Sequence, residues 1–294
     1  MLREFSDRVT ASAMKALAVL CVGLALATAL ALAVKSWPIL TSQGLGHLLL
    51  GSSWRPLAGE FGFFPFLMGT LWVSGLAMAI SIPICLLTAL FLSEYAGRLL
   101  RAIAKPLIDV LAGIPSVVFG LWGVLTVVPL TAKIAACLGA SSTGYSVLAG
   151  GIVLAIMVFP FTISVVEEVL RKVPLEAREA SLALGATHWQ TTKQVVVREA
   201  LPGIFAAVIL GFSRAFGETM AVLMVVGNVA ELPHSVFDPA YPLPALIANN
   251  YGEMMSIPSY DSALMFAALL LLAVVFGFNI VAAVVLRSVE RRLA

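Results

Sequence analysis

The sequence predicts an all-α integral membrane protein with six transmembrane helices, and three observations predict it. Of 294 residues, 61% are hydrophobic and only 12% charged, with mean hydropathy +1.02. A soluble domain runs nearer to roughly 45–50% apolar and about 25% charged. Uncharged stretches long enough to cross a bilayer at about 1.5 Å per residue recur along the chain. The basic residues fall mostly in alternate connections, the pattern of a multi-spanning protein. A net charge of +2 without a basic patch excludes a nucleic-acid binder. Cys21, Cys85 and Cys137 share no spacing, and His47, His188 and His234 are equally scattered, so neither a disulfide framework nor a metal centre is expected.

The first span is residues 16–34, nineteen residues without a charge and longer than a signal-peptide core. Residues 35–65 follow as an external connection whose Trp37, Trp54 and phenylalanines suit the membrane–water boundary. Residues 1–65 are thus an N-terminal membrane helix plus external loop, and 66–294 the core transmembrane domain. Within the core, spans are expected near residues 66–92, 107–132, 147–166, 204–228 and 262–286. Glu60 and Glu94 bracket the first of these, and the Gly/Ser-rich residues 139–144 separate the next two.

Fourteen of the 18 basic residues lie at the N-terminus, in the second-to-third and fourth-to-fifth connections, and in the C-terminal tail. Only Lys35, Arg55 and Lys133 lie on the other side. The positive-inside rule then puts both termini in the cytoplasm. Residues 229–261 are external, with Glu231, Asp238, Glu253 and Asp261, five prolines, and no Lys or Arg. Either topology alone keeps basic residues out of this segment, or it is an ordered element that docks a partner.

The cytoplasmic loop at residues 171–200 is long for a plain helix connection. A short amphipathic helix is expected over residues 176–184, with Leu175, Leu182 and Ala183 on one side. Gly185 stops it in the left-handed conformation, and Thr187 or a neighbour caps a second helix over residues 190–198. Glu179-Ala180-Ser181, followed after three residues by Gly185, resembles the EAA-x-x-x-G loop of binding-protein-dependent ABC importer permeases. The resemblance implies the type I ABC importer permease fold and makes this loop the coupling helix that seats in a cleft of an ATPase. Ser181 replaces the usual second Ala and Arg198 the usual Pro, with Pro202 arriving four residues later. No Gly-x-x-x-x-Gly-Lys-[Ser/Thr] occurs, so ATP and Mg belong on a partner and this chain carries no cofactor or catalytic residue.

Two further elements carry chemistry. Arg214 and Glu218 lie inside the expected fifth span, where each charge costs roughly 2.5–3.5 kcal/mol at mid-membrane. At helical spacing they share a stripe with Gly211, Ala221, Val225 and Asn228. Such a stripe either lines a pathway or glues helices together as an ion pair. Arginine's planar fork suits an oxyanion, and Glu218 would accept from a protonated ligand oxygen while rejecting a fully deprotonated anion. In the expected third span Gly113 and Pro115 break the helix just before Ser116, making Ser116 a second pathway candidate. A purely structural kink is the other reading of that break.

The runs Gly113-Ile-Pro-Ser-Val-Val-Phe-Gly120 and Arg214-Ala-Phe-Gly-Glu-Thr-Met-Ala-Val222, with Gly227-Asn228, are similar to the PstC-type phosphate permeases of that family. This implies import of inorganic phosphate by alternating access, with Arg214, Glu218, Ser116 and Asn228 along the pathway. It also implies a PstA-like second permease, a PstB-like ATPase dimer and a PstS-like phosphate-binding protein as partners in the bilayer. A permease for sulfate or molybdate, or an ion-gradient-driven secondary transporter, are the alternatives.

Overall fold

The computed structural model describes residues 2–252 and 257–293, so Glu253 lies outside the described residues. Helix α1 (Leu2–Gln43) is followed by a short α2 (Leu45–Leu50) and a hairpin of β1 (Trp54–Arg55) and β2 (Glu60–Phe61). Next come α3 (Phe64–Leu90) with a π-helical turn at Phe91–Tyr95, α4 (Arg98–Ala112) and α5 (Ser116–Trp122). A second π-turn, Gly123–Val127, joins α5 to α6 (Val128–Cys137), and α7 (Val147–Arg171) follows. Then come α8 (Leu175–Ala183), α9 (His188–Thr191), a third π-turn at Thr192–Val196 and α10 (Val197–Phe216). The chain closes with α11 (Met220–Val225), α12 (Leu243–Asn250) and α13 (Pro258–Leu293).

Among the described residues, six helical stretches are long and apolar enough to cross a membrane: Thr10–Gln43, Phe64–Tyr95, Ser116–Cys137, Val147–Arg171, His188–Phe216 and Pro258–Ser288. The all-α, six-span expectation therefore holds. The centre is α7, whose most apolar window is 67% buried, while that of the first span is 0% buried. Lipid tails supply no hydrophobic drive between helices, so close van der Waals approach must hold them together. Glycines on α7 permit it. A Cβ on Gly150 would lie 2.5 Å from Val226, and one on Gly151 2.9 Å from Leu76.

The third span begins at Ser116, not near residue 107. The six residues before the break belong to α4, an amphipathic helix that carries Arg98, Arg101, Lys105 and Asp109 and exposes Leu99, Ile103, Leu107 and Val110. Pro115 cannot donate a backbone hydrogen bond, and its extended ψ of 143° turns the chain into α5. The proline thus marks a boundary between two helices rather than a kink within one.

The fifth span also differs. The helix that starts at His188 runs without interruption through Arg198 and Pro202 and stops at Phe216. Residues 217–219 break it, and α11 restarts for six residues before Gly227 (φ 93°) and Asn228 (φ 53°) end it. α11 is bonded to the start of α7 and to the following loop: Ser146 N–H donates to Val225 O (3.2 Å) and Ala240 N–H to Val226 O (3.0 Å).

The aromatic residues expected at the membrane boundary largely form a core of their own. Trp54 meets the rings of Phe61, Phe63 and Phe66 edge-on, at 5.5, 5.4 and 4.8 Å. Those three phenylalanines are fully buried, whereas Trp37 is exposed. The loop after α11 is ordered and turns inward: α12 buries Leu243, Pro244, Ala245 and Leu246, and Leu243 N–H donates to Thr70 Oγ1 at 2.9 Å.

Candidate functional site

Two breaks, at residues 113–115 and 217–219, each precede a short helix, and the two short helices pack together. A Cβ on Gly120 would lie 3.2 Å from Ala221 Cα and 2.6 Å from Met224 Sδ, and one on Gly123 2.8 Å from Val225. The order of these contacts makes α5 and α11 run parallel, so Ser116 and Met220, their first residues, lie at the same end. Ser116 is half-buried there.

Arg214 and Glu218 do not share one helix face, because the helix ends between them. Arg214 occupies the last turn of α10, exposed, with Cζ 5.2 Å from the centre of the Phe161 ring of α7. A cation over an aromatic face is stabilised by the ring's negative quadrupole without being neutralised. Among the described residues no ion pair joins Arg214 to Glu218; the carboxylates that pair with arginines are Glu94 and Glu167. Glu218 is half-buried in the break, where its N–H donates to Ala215 O (3.3 Å) and its Oε1 accepts from Ala221 N–H at 3.4 Å. This carboxylate thereby helps satisfy amides that the break frees.

Asn228 lies at the far end of α11, about 9 Å of helix beyond Met220 at the standard rise. Its side chain closes that end, Nδ2 donating to Leu223 O at 2.8 Å, and its buried Oδ1 has no partner. The structure brings Ser116 and Glu218 to one end of the α5–α11 seam and leaves Asn228 at the other.

α10 is locked to α13 beside this site. Ser213 Oγ and Asn279 Oδ1 are 2.9 Å apart, and Phe212 stacks on Phe278 with ring centres at 4.2 Å. Neither contact was foreseen, since both residues of each pair read as ordinary span residues. Phe161 was missed for the same reason.

The finger between α7 and α10 follows the expected pattern. α8 ends at Ala183, Gly185 adopts φ +85°, and Thr187 caps α9 with Gln190 completing a reciprocal capping box. Glu179, Ala180 and Gly185 are exposed, and Leu175, Leu182, Leu184 and Trp189 add exposed apolar surface. Ser181 lies 3.0 Å from Thr191, hydroxyl to hydroxyl, tying α8 to α9. The second finger helix is continuous with the fifth span rather than separate from it. Arg178 of α8 pairs with Glu94 at the end of α3. Glu94 had marked only the edge of an apolar run.

Residues 81–294 match the family described as binding-protein-dependent transport system inner membrane component. The chain is 36% identical over 267 residues to the probable ABC transporter permease protein YqgH of Bacillus subtilis, covering 90% of this chain and 85% of that protein. It is 34% identical over 256 residues to the phosphate transport system permease protein PstC of Xylella fastidiosa, covering 82% and 78%. A chain of the MetNI methionine ABC transporter, in an inward-facing conformation, has the same fold: TM-score 0.58, 20% identity, 81% of this chain and 99% of that one. These likenesses, together with six membrane-length helices and the exposed finger, identify the molecule's class. The chain belongs to the binding-protein-dependent transport system inner membrane components, as a multi-pass permease subunit of an ABC importer in the cell membrane.

Proposed function

We propose that this chain passes inorganic phosphate through the membrane by alternating access, as one of two permease subunits driven by an ATPase dimer. The partners in this reading are a PstA-like permease, a PstB-like ATPase pair and a PstS-like phosphate-binding protein. ATP and Mg sit on the ATPase, and the chain itself carries no cofactor. Both termini and the finger face the cytoplasm, in keeping with the fourteen basic residues on that side. Glu179, Ala180, Ser181 and Gly185, on the exposed finger, seat on the ATPase.

The observation that carries the substrate assignment is the state of Arg214. It lies at a helix break, held by an aromatic ring, with no ion pair to the nearby Glu218. Its guanidinium can therefore present two parallel N–H donors to an oxyanion. Glu218 is placed in the same break and can accept from the protonated oxygen of hydrogen phosphate. Sulfate and molybdate have no such proton at neutral pH, so a carboxylate there opposes them. Ser116 offers a hydroxyl at the end of the α5–α11 pair, where the Gly113–Pro115 break opens. Phosphate transport relatives at 34% identity support the same substrate.

The test is uptake of radiolabelled phosphate by cells lacking this chain, complemented with the wild type or with Arg214→Gln. The variant should assemble and fail to import. Normal uptake by Arg214→Gln, or sulfate uptake by the wild type in place of phosphate, would overturn the assignment.

A further inference from the structure

The end of α3 grips the finger at two adjacent residues. Arg178 of α8 places Nη1 3.0 Å from Glu94 Oε1 and 3.2 Å from Oε2, while its Nη2 donates to Leu170 O at 2.8 Å. The two side chains are only 20% and 5% exposed, so the pair is shielded from solvent. The next residue, Tyr95, packs its ring on His188 of α9 at 4.8 Å. One π-turn therefore touches both helices of the finger.

That turn is itself braced. Arg101 of α4 donates to the carbonyl oxygens of Leu92 (3.0 Å), Ser93 (2.9 Å) and Ala96 (3.3 Å), and Ser93 Oγ donates to Glu94 Oε1 at 2.9 Å. These bonds occupy carbonyls that a helix end leaves without partners. They also fix the direction of the Glu94 carboxylate before Arg178 reaches it. A fork-shaped cation held by a carboxylate and a carbonyl from two different helices resists both sliding and rolling of α8.

We propose that Arg178 is a positioning residue that makes the finger and the end of α3 move as one body, so that displacement of α8 reaches α3 directly rather than only through α10. The inference rests on the reading of the finger as the ATPase contact. It adds where the displacement goes. Breaking the pair leaves a shielded carboxylate without its cation, while the finger keeps the Tyr95–His188 ring contact, the internal Ser181–Thr191 tie and its covalent continuity with α7 and α10.

The experiment uses the full complex with its ATPase in lipid vesicles. Nitroxide labels are placed at Glu176→Cys in the finger and Leu87→Cys on α3, both exposed, with the exposed Cys21 and Cys137 replaced by Ser. In the wild-type complex the interlabel distance should be the same with and without ATP. In Arg178→Gln it should change or broaden on ATP addition, with the ATPase still co-purifying. ATP hydrolysed per phosphate imported should rise by roughly tenfold, and Arg178→Lys should recover part of the loss. A wild-type distance that shifts with ATP overturns the proposal. So does an Arg178→Gln complex with unaltered distances and coupling, or one that simply loses its ATPase. A wild-type complex that hydrolyses ATP without moving phosphate would instead sink the substrate assignment, and the label distances would still decide the role of Arg178.

Discussion

Gly120 and Met224 meet where α5 and α11 press together: a Cβ on Gly120 would lie 2.6 Å from the Met224 sulfur and 3.2 Å from the Ala221 backbone. The seam joins the two helices that follow the two breaks, so its width governs how the site is assembled. Gly120→Ala should lower the stability of the detergent-solubilised protein by about 1–3 kcal/mol through overpacking. Met224→Ala in the same chain should return part of that, since the flexible thioether is one of the two clashes. A thermal-unfolding series of the two single variants and the double variant measures this coupling; strictly additive effects would show that the seam is not where the strain arises.

In the proposed function Glu218 reads the protonation state of the ligand. Glu218→Gln supplies an N–H donor where the carboxylate could only accept. Phosphate uptake by this variant should become sensitive to competing sulfate, whereas the wild type should ignore it. Competition assays at neutral pH check this, and equal indifference to sulfate in both proteins would remove Glu218 from the selectivity.

Gly185 holds φ +85° with open space around it, so a substitution there acts through backbone strain alone. Gly185→Ala should cost about 1–2 kcal/mol locally and alter the angle between α8 and α9. The expected result is a normally inserted permease that retains less ATPase on affinity purification. Full retention would mean that the finger tolerates a wide range of turns.

Thr70 Oγ1 accepts the Leu243 N–H at 2.9 Å in a fully buried setting, at the first residue of α12. Thr70→Val keeps the volume and leaves the amide unpaired, a penalty of about 1–3 kcal/mol. Hydrogen exchange at residues 243–250 should speed up in the variant while exchange across α7 stays the same.

Much of the molecule was legible in the residues. Uncharged runs bounded by charges reveal membrane-length helices, because a charge in hydrocarbon is costly wherever it sits. The finger was legible too, since the Gly185 stop and a cap at Thr187 act through local backbone chemistry. The Arg178–Glu94 pair was not, because its partners are 84 positions apart and each looks like an ordinary surface charge beside a membrane.

What the sequence determined by itself is the number of spans, the finger and the presence of two unusual charges near the fifth span. What only the tertiary structure decided is where helices stop. Arg214 and Glu218 are four residues apart and read as one face, yet α10 ends at Phe216 between them and the helix restarts only at Met220. Helical periodicity assumes that each amide bonds four residues back along its own helix. Where a nearby side chain offers a freed amide another partner, as Glu218 Oε1 does for Ala221 N–H, the helix can end, and one expected face becomes an exposed arginine beside a break.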